Sequence, residues 1–283
     1  MKILITGING QVGHSLMKQL YEHELVGLTR QDCDLTQPNQ IKQTIDQHQP
    51  DLIINPAAYT KVDQAEDEPE LAFLINRDAP KVMAEKARQY HIPFIHFSTD
   101  YVFDGEKEGA YKEGDQTNPL GIYGQSKLEG EEAIQAVGGL HYILRTSWVY
   151  SNRGQNFYLT MRRLSHEQDE IKVVSDQISV PTASVFIAEQ IEKMIPQLGE
   201  NNTGLYHLVP KESCSWYDFA KQIIGKTNHH FNLKYLHPIT SHAFKTKAQR
   251  PRHSLLNNHK IQQAFMLKFE HWHNGLEMVI NEA

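Results

Sequence analysis

Residues 1–13 read MKILITGINGQVG. Ile3, Leu4 and Ile5 make a short unbroken apolar run, the pattern of a strand buried on both faces of a parallel sheet. Gly7, Gly10 and Gly13 follow at once as G-x-x-G-x-x-G. That spacing lets a backbone loop come close to a pyrophosphate, whose charge is met by the N-terminus of a helix predicted from about Gln11 to Tyr21. Gly7, Gly10, Gln11, Val12 and Gly13 are therefore candidate cofactor contacts. A tight strand-to-helix turn with no ligand is the plainer alternative; strand, loop and helix in that order favour nucleotide binding.

Strand and helix signals go on alternating through the first half, which predicts a doubly wound, Rossmann-like α/β parallel sheet. Strands are expected at Leu25–Thr29, Leu52–Asn55, Pro93–Ser98 and Tyr142–Thr146. Helices are expected at Pro38–His48, at Asp67–Tyr90 with a kink at Pro80, and from about Gly121 onward. Beyond Ser151 the pattern loosens. Helices at Asn156–His166, Thr182–Ile195, Trp216–Gly225 and His259–Phe265 are expected there, with strands at Ile171–Val174 and Leu205–Val209. Residues 1–150 then form a cofactor-binding domain, and residues 151–283 a smaller α/β lobe, mainly for substrate, that exchanges elements with the first.

The second strand delivers Gly27-Leu28-Thr29-Arg30. A guanidinium there pairs with a ribose 2′-phosphate, which favours NADP(H). Asp32, two residues on, is the acidic residue that would suit NAD(H), so that cofactor stays open as the alternative. Asp34 and Leu35 come next, and resemble the aspartate-apolar pair that holds the adenine in dinucleotide-binding short-chain dehydrogenases. Ala57, Ala58, Tyr59 and Thr60 follow the third strand and would line the middle of the cofactor, unless they are an ordinary strand-to-helix turn.

Tyr123-Gly-Gln-Ser-Lys127 stands 24 residues after Thr99. Tyrosine and lysine four apart share a helix face, so the ammonium can lie near the phenol and lower its pKa from about 10. Thr99 adds a hydroxyl at the C-terminal end of the fourth strand, where open α/β sheets place ligands. Thr99, Tyr123 and Lys127 thus form a candidate proton-transfer set for a carbonyl–alcohol interconversion. Alone, Tyr-x-x-x-Lys also occurs by chance on solvated helices; the nucleotide-binding context carries the functional reading.

Bulk properties agree with a soluble enzyme. The chain has 283 residues, 40% of them hydrophobic and 22% charged, enough for a sizeable core. A net charge of −6 with scattered lysines and arginines speaks against a nucleic-acid partner. No apolar run approaches the roughly 18 residues of a membrane span, and the chain opens directly on a strand, so neither membrane nor signal peptide is expected. Cys33 and Cys214 read as free thiols in a cytoplasmic protein. Among 16 histidines, His229-His230 and His271-Trp-His273 lie closest, but neither has a second cluster at zinc-like spacing, and no metal is expected.

Taken together, GINGQVG (7–13), AEDEP (65–69), FSTDYVFDG (97–105), YGQSKLEGE (123–131), RTSWVY (145–150), NF (156–157), PT (181–182), GLYHLV (204–209) and RPRHSLLN (250–257) resemble the dTDP-4-dehydrorhamnose reductase family nearly end to end. That family belongs to the extended short-chain dehydrogenase/reductases. STDYVFDG and RTSWVY are its more restrictive segments. The resemblance implies NADPH-dependent reduction of the C4 ketone of dTDP-4-dehydro-6-deoxy-L-mannose to dTDP-L-rhamnose, NADH serving some members. It implies Tyr123 as proton donor, Lys127 holding the nicotinamide ribose, Thr99 orienting the ketone, and Asp100 and Trp148 touching the sugar. Trp148, just past an apolar strand, equally fits a core position. Arg250 and Arg252 suit a diphosphate or a solvated loop. Some members carry an acidic residue two positions beyond the last motif glycine that serves a metal-linked dimer. Ser15 stands there, so that metal and dimer are not carried over, and homo-oligomerisation is left open.

Two rivals follow from the same residues. A related dehydratase would carry an Asp-Glu pair after the catalytic threonine, whereas Asp100-Tyr101 stands here; an epimerase would share the Tyr/Lys pair. A non-catalytic subunit, similar to the regulatory subunit of methionine adenosyltransferase, would bind a nucleotide without turning it over.

Overall fold

The computed structural model describes residues 1–282. The first half alternates as β1 (Lys2–Thr6), α1 (Gln11–Gln19), β2 (Glu24–Leu28), α2 (Pro38–His48) and β3 (Leu52–Asn55). Two short helices follow, α3 (Val62–Ala65) and α4 (Pro69–Phe73), then a π-helical turn (Leu74–Asp78) running into α5 (Ala79–Tyr90). Next come β4 (Phe94–Thr99), α6 (Ile122–Val137) and β5 (His141–Thr146). The remainder holds β6 (Val149–Tyr150), α7 (Phe157–Glu167), β7 (Ile171–Val174), β8 (Ile178–Ser179), β9 (Thr182–Ala183) and α8 (Ser184–Met194). It ends with β10 (Gly204–His207), β11 (Cys214–Ser215), α9 (Trp216–Thr227), β12 (Leu236–Ile239), α10 (His259–Ala264) and α11 (Trp272–Asn281).

The principal sheet has six parallel strands in the order β10-β5-β4-β3-β1-β2. Successive residues of each central strand enter opposite cores. Ile3, Ile5, Leu52, Ile54, Ile95 and Phe97 face one apolar cluster, while Leu4, Ile53 and Phe94 face the other. This two-sided burial is why the strands read as continuous apolar runs. The chain leaves β1 toward β2 and returns on the other side to β3, so the crevice beyond the C-terminal ends of β1 and β3 is a topological switch point, the place where such sheets hold nucleotides.

Residues 151–282 build two small two-stranded pairs, β7 with β12 and β8 with β11, lay β9 beside β6, and also supply β10 to the principal sheet. Helix α8 packs on α1, and there Ser15 and Ser184 share a 2.8 Å hydrogen bond between their hydroxyls.

The helix expected over 67–90 is interrupted. The π-helical turn precedes Pro80, which sits in the first turn of α5, where a missing N–H costs little. Its reason is visible in Asn76, fully buried, whose Oδ1 accepts from Tyr59 N (2.8 Å) and whose Nδ2 donates to Tyr59 O (3.1 Å) and Ser126 Oγ (3.0 Å). One carboxamide thereby joins the segment after β3 to α6. The backbones also nearly touch, since a Cβ on Gly130 would lie 2.1 Å from Asn76 O, and one on Gly124 2.2 Å from Tyr101 O. β12 and α11 were not expected; β12 is short and carries Pro238, and α11 begins within the His271-Trp-His273 cluster, with His271 as its N-cap.

Gly130→Ala is accordingly expected to lower stability by about 1–3 kcal/mol, because the clash is with backbone and can be relieved only by moving α6. A urea titration measures it, and an unchanged midpoint would show that α6 is free to shift.

Candidate active site

The glycine loop is shaped as its spacing predicts. Gly7 has φ +59°, a left-handed conformation that a side chain resists, and a Cβ there would lie 2.9 Å from Cβ of Ala57. A Cβ on Gly13 would lie 2.4 Å from Gly7 O, so α1 can pack on the loop only with glycine at that position. Gly10 is the N-cap of α1 and lends no side chain to its first turn. The backbone N–H groups of that turn remain directed at an anion site.

A cavity of about 340 Å³ opens beside this loop, lined by Gly7, Arg30, Asp34, Leu35, Ala57, Ala58, Tyr59 and Thr60, all expected there. Cys33, Glu68 and Ile75 also line it and were not foreseen, because they belong to segments whose local sequence reads as turn or helix. Arg30 is exposed at the rim. Asp32 is turned back on its own loop, its carboxylate accepting from Thr29 N (2.8 Å) and Thr29 Oγ1 (2.6 Å). Those bonds, the Thr29 hydroxyl foremost, hold its pKa below the usual carboxylate value. Of the two rival cofactor determinants, the arginine faces the cavity and the aspartate does not line it. Asp34 is likewise held ionised, chiefly by the backbone N–H of Thr36.

The side chains of Gln11 and Val12 are engaged within the protein. Gln11 Oε1 accepts from Ser151 Oγ (3.0 Å) and Asn156 Nδ2 (2.9 Å), tying α1 to the N-cap of α7. Val12 packs into the larger core. Their side chains brace the loop, and only their backbone N–H groups are suited to a phosphate.

Thr99 closes β4, and α6 brings Tyr123 and Lys127 to the same edge. Glu66 caps this helix from 56 residues away, accepting from Ile122 N at 2.9 Å, and a Cβ on Gly121 would meet that carboxylate oxygen at 2.6 Å. Tyr123 meets the ring of Tyr101 edge-on at 5.6 Å. Although part of its ring stays accessible, the protein packed around it pushes its pKa up to about 12; the Thr99 hydroxyl acts in the opposite direction, and the Asp100 charge adds to the rise. This corrects the expectation of a tyrosine depressed by lysine. Lys127 shares the helix face, but its Nζ reaches down to Phe97 O (2.5 Å) and to His96 Nε2 (3.1 Å). Burial lowers the Lys127 pKa to about 7, with Glu131 pulling the other way.

Asp100, expected to touch the sugar, is engaged by neighbouring hydroxyls. Only 2% exposed, it accepts from Ser254 Oγ (2.5 Å), Thr99 Oγ1 (3.1 Å) and Ser179 Oγ (3.4 Å). Burial pushes its pKa up to about 6, against the pull of those hydrogen bonds.

A second cavity, of about 810 Å³, lies against the C-terminal lobe, lined among others by Phe157, Trp216, Phe244, Lys245, Arg250 and Arg252. Trp148 does not line it but stacks behind Trp216, ring centroids 3.5 Å apart and planes 10° apart. Its φ is +44°, an unusual conformation for a bulky residue and one found mainly where surroundings over-determine it. Arg250 donates through Nη2 to Asp63 Oδ2 at 2.9 Å, leaving its Nε buried without a partner. Trp216 and Phe157 were missed because each reads as an ordinary helix residue.

Among the described residues, no cluster of three or more His, Cys, Asp or Glu is placed to hold a metal, and no helix is long and apolar enough to cross a membrane.

The profile of the RmlD substrate binding domain family matches residues 1–283. The chain belongs to the dTDP-4-dehydrorhamnose reductase family. It is 38% identical over 286 residues to the dTDP-4-dehydrorhamnose reductase of Sinorhizobium fredii, covering 99% of this chain and 97% of that one. It is also 38% identical over 295 residues to the Escherichia coli K12 reductase, with 100% and 98% covered. Among solved structures, the Bacillus anthracis reductase in complex with NADP superposes with a TM-score of 0.94 at 35% identity, covering 100% and 99% of the two chains. Within AEDEP (65–69), Glu66 caps α6, and Glu68 accepts from the Tyr59 hydroxyl at 2.7 Å.

The raised Asp100 pKa has a sign that can be tested. A carboxyl whose folded pKa exceeds its unfolded one adds most to stability below about pH 4, and that contribution is lost as pH rises through about 6. Asp100→Asn should therefore gain thermal stability relative to the parent between pH 4 and pH 7. Melting curves across that range check it, and a gap moving the other way would mean the ionised form is the preferred one.

Proposed function

We propose that this protein reduces the C4 ketone of dTDP-4-dehydro-6-deoxy-L-mannose to dTDP-L-rhamnose, with NADPH as hydride donor, as its reductase relatives are named to do. The observation that carries the reading is the convergence of Thr99, Tyr123 and Lys127 at the sheet edge, together with a cavity at the C-terminal ends of β1 and β3 lined by Gly7 and Arg30. The residues present fit a nicotinamide dinucleotide: Gly7 and Gly13 let the loop pack against Ala57 and α1 where any Cβ would clash, and the first turn of α1 carries no side-chain cap, leaving it open to phosphate. NADPH, when bound, supplies the hydride.

The chain must then furnish one proton and hold the ketone in place. A tyrosine with a pKa near 12 is fully protonated at neutral pH, the state a donor to a developing alkoxide needs. The Thr99 hydroxyl lies beside it to orient the carbonyl oxygen. Lys127 returns a proton to the Tyr123 phenolate, and a pKa near 7 makes that release accessible. Lys245, Arg250 and Arg252 line the second cavity as cations suited to a nucleotide diphosphate, with Trp216 and Phe157 as an aromatic wall. Asp100 and Trp148 act behind this surface, holding Thr99 and Trp216. We also assign the work to the cytoplasm, in keeping with Cys33 and Cys214 as buried free thiols.

Tyr123→Phe should fold and bind NADPH but lose about 10²- to 10⁴-fold in turnover with enzymatically generated ketone. Near-normal NADPH oxidation by that variant would remove the proton-donor role. Arg30→Ala should weaken NADPH more than NADH in titrations of each cofactor, and equal losses would leave the cofactor preference without its structural basis.

A further inference from the structure

Beneath the Tyr123/Lys127 pair runs a chain of buried polar side chains that the reduction itself does not use. Lys127 Nζ lies 3.1 Å from His96 Nε2; His96 Nδ1 lies 3.0 Å from Asn55 Nδ2; Asn55 Oδ1 lies 2.5 Å from Thr6 Oγ1. Asn55 and His96 are fully buried, and Thr6 and Lys127 are nearly so. The chain crosses β1 and β3 at their last residues and β4 midway along it, with Asn55 and His96 paired in the sheet register. Its only contact with the candidate proton-transfer set is Lys127.

An ammonium offers three donors and no acceptor, whereas the neutral amine also offers a lone pair. Lys127 has two hydrogen-bond partners among the described residues, His96 and the carbonyl of Phe97. The carbonyl can only accept, so it serves Lys127 in either state but cannot compensate for the change. An imidazole can, because Nε2 accepts in one tautomer and donates in the other.

We infer that His96 is a positioning residue that holds the Lys127 nitrogen in place in both of its protonation states, by exchanging tautomer as that nitrogen gains or loses a proton. This rests on the assignment of Tyr123 and Lys127 as the proton-transfer pair. With Lys127 as ammonium, His96 carries its proton on Nδ1 and donates to Asn55 Oδ1, while Asn55 Nδ2 donates to Thr6 Oγ1. Once Lys127 has given a proton to the Tyr123 phenolate, the imidazole proton sits on Nε2 and donates to the amine. Nδ1 then accepts from Asn55 Nδ2, and the Thr6 hydroxyl donates to Asn55 Oδ1. The ring holds one proton throughout and Lys127 alone changes charge; the Asn55 amide turns over and the Thr6 hydroxyl reverses.

The surroundings suit a neutral ring. Burial and the Lys127 charge hold the His96 pKa well below 6.5, so protonation of the imidazole does not compete. The charged groups facing the pair are few. Glu131 on α6 raises the Lys127 pKa and is itself held by Arg145 of β5 through bonds of 2.9 and 2.6 Å. Asp100 at the end of β4 acts on Tyr123.

The test compares pH profiles of NADPH-dependent reduction for the parent, His96→Phe and His96→Gln, with NADPH affinity measured alongside. Phenylalanine keeps a ring and deletes both nitrogens, so ammonium and amine each lose a partner, the charge-assisted bond to the ammonium being the larger loss. The alkaline limb should move to lower pH by about one unit, with NADPH affinity little changed. Glutamine, which can present an oxygen to the ammonium or an N–H to the amine, should bring the limb back. An unmoved limb in His96→Phe, or a shift that His96→Gln leaves in place, overturns the inference.

The parent protein decides the matter without any variant. Nitrogen-15 NMR of the His96 ring should pass from the Nδ1–H to the Nε2–H tautomer as pH is raised from about 5 to about 9. A ring fixed in one tautomer across that range overturns the inference. Near-normal turnover by Tyr123→Phe would instead strike the proton-donor assignment, and the tautomer measurement would remain readable on its own.

Discussion

Everything at the candidate site depends on how closely α6 is allowed to approach its neighbours. Gly124 and Gly130 bring its backbone against Tyr101 O and Asn76 O at separations that no Cβ would permit. Once the helix is that close, short side chains suffice to lock it. The Asn76 carboxamide reaches Tyr59 and Ser126 together, and Glu66 reaches the first turn. On the far side the Arg145–Glu131 ion pair fastens α6 to β5, with side chains 3% and 2% exposed. A buried pair of this kind adds little net stability, but losing one partner leaves an uncompensated charge, so it acts as a strict constraint on position. Tyr123 and Lys127 are carried on a helix fixed along its whole length, which is what geometry-dependent proton transfer needs.

The two cavities are joined by polar contacts more than by apolar packing. Asp63 accepts from Ala248 N (3.0 Å) and from Arg250, linking the segment after β3 to the loop that walls the larger cavity. Asp100 does the same deeper down, collecting hydroxyls from β4, β8 and Ser254. Gly105, at φ +81°, lets the turn after Phe103 press onto Arg252, whose N would lie 2.7 Å from any Cβ there. Residues around the two cavities are therefore held in mutual register by Asp63, Asp100 and the close approach at Gly105.

Much of this was legible in the chain, and what was not has physical reasons. Runs such as Ile3–Ile5 and Leu52–Asn55 announce doubly buried strands, and Gly7 and Gly13 announce a loop in which a Cβ has no room. The cofactor cavity was legible for the same reason, since its lining follows the strands in sequence. Roles that depend on long-range partners were not. Gln11 turns to Asn156, 145 residues away, and Asp100 turns to Ser254, 154 residues away. The direction of the Tyr123 shift depends on how much protein surrounds the phenol and on where Lys127 Nζ finds an acceptor, neither of which helical spacing reveals. His96 gave no signal, because a histidine inside an apolar strand reads as core until its partners are seen.

β10 ties the two halves of the chain in a further way. It comes from beyond residue 200, yet it covers the edge of β5 in parallel register, pairing Leu205 with Ile143 and His207 with Arg145. Without it, β5 would present a row of unpaired N–H and C=O groups along an apolar strand, a ready template for another chain. A nascent polypeptide that has emerged only as far as β5 is in that condition, and stays so until about sixty more residues have been made, on the order of several seconds at ribosomal rates. During that interval the dinucleotide half is an incomplete sheet with a sticky margin. Its safety in the cell is then a matter of synthesis rate and chaperone attendance as much as of final stability.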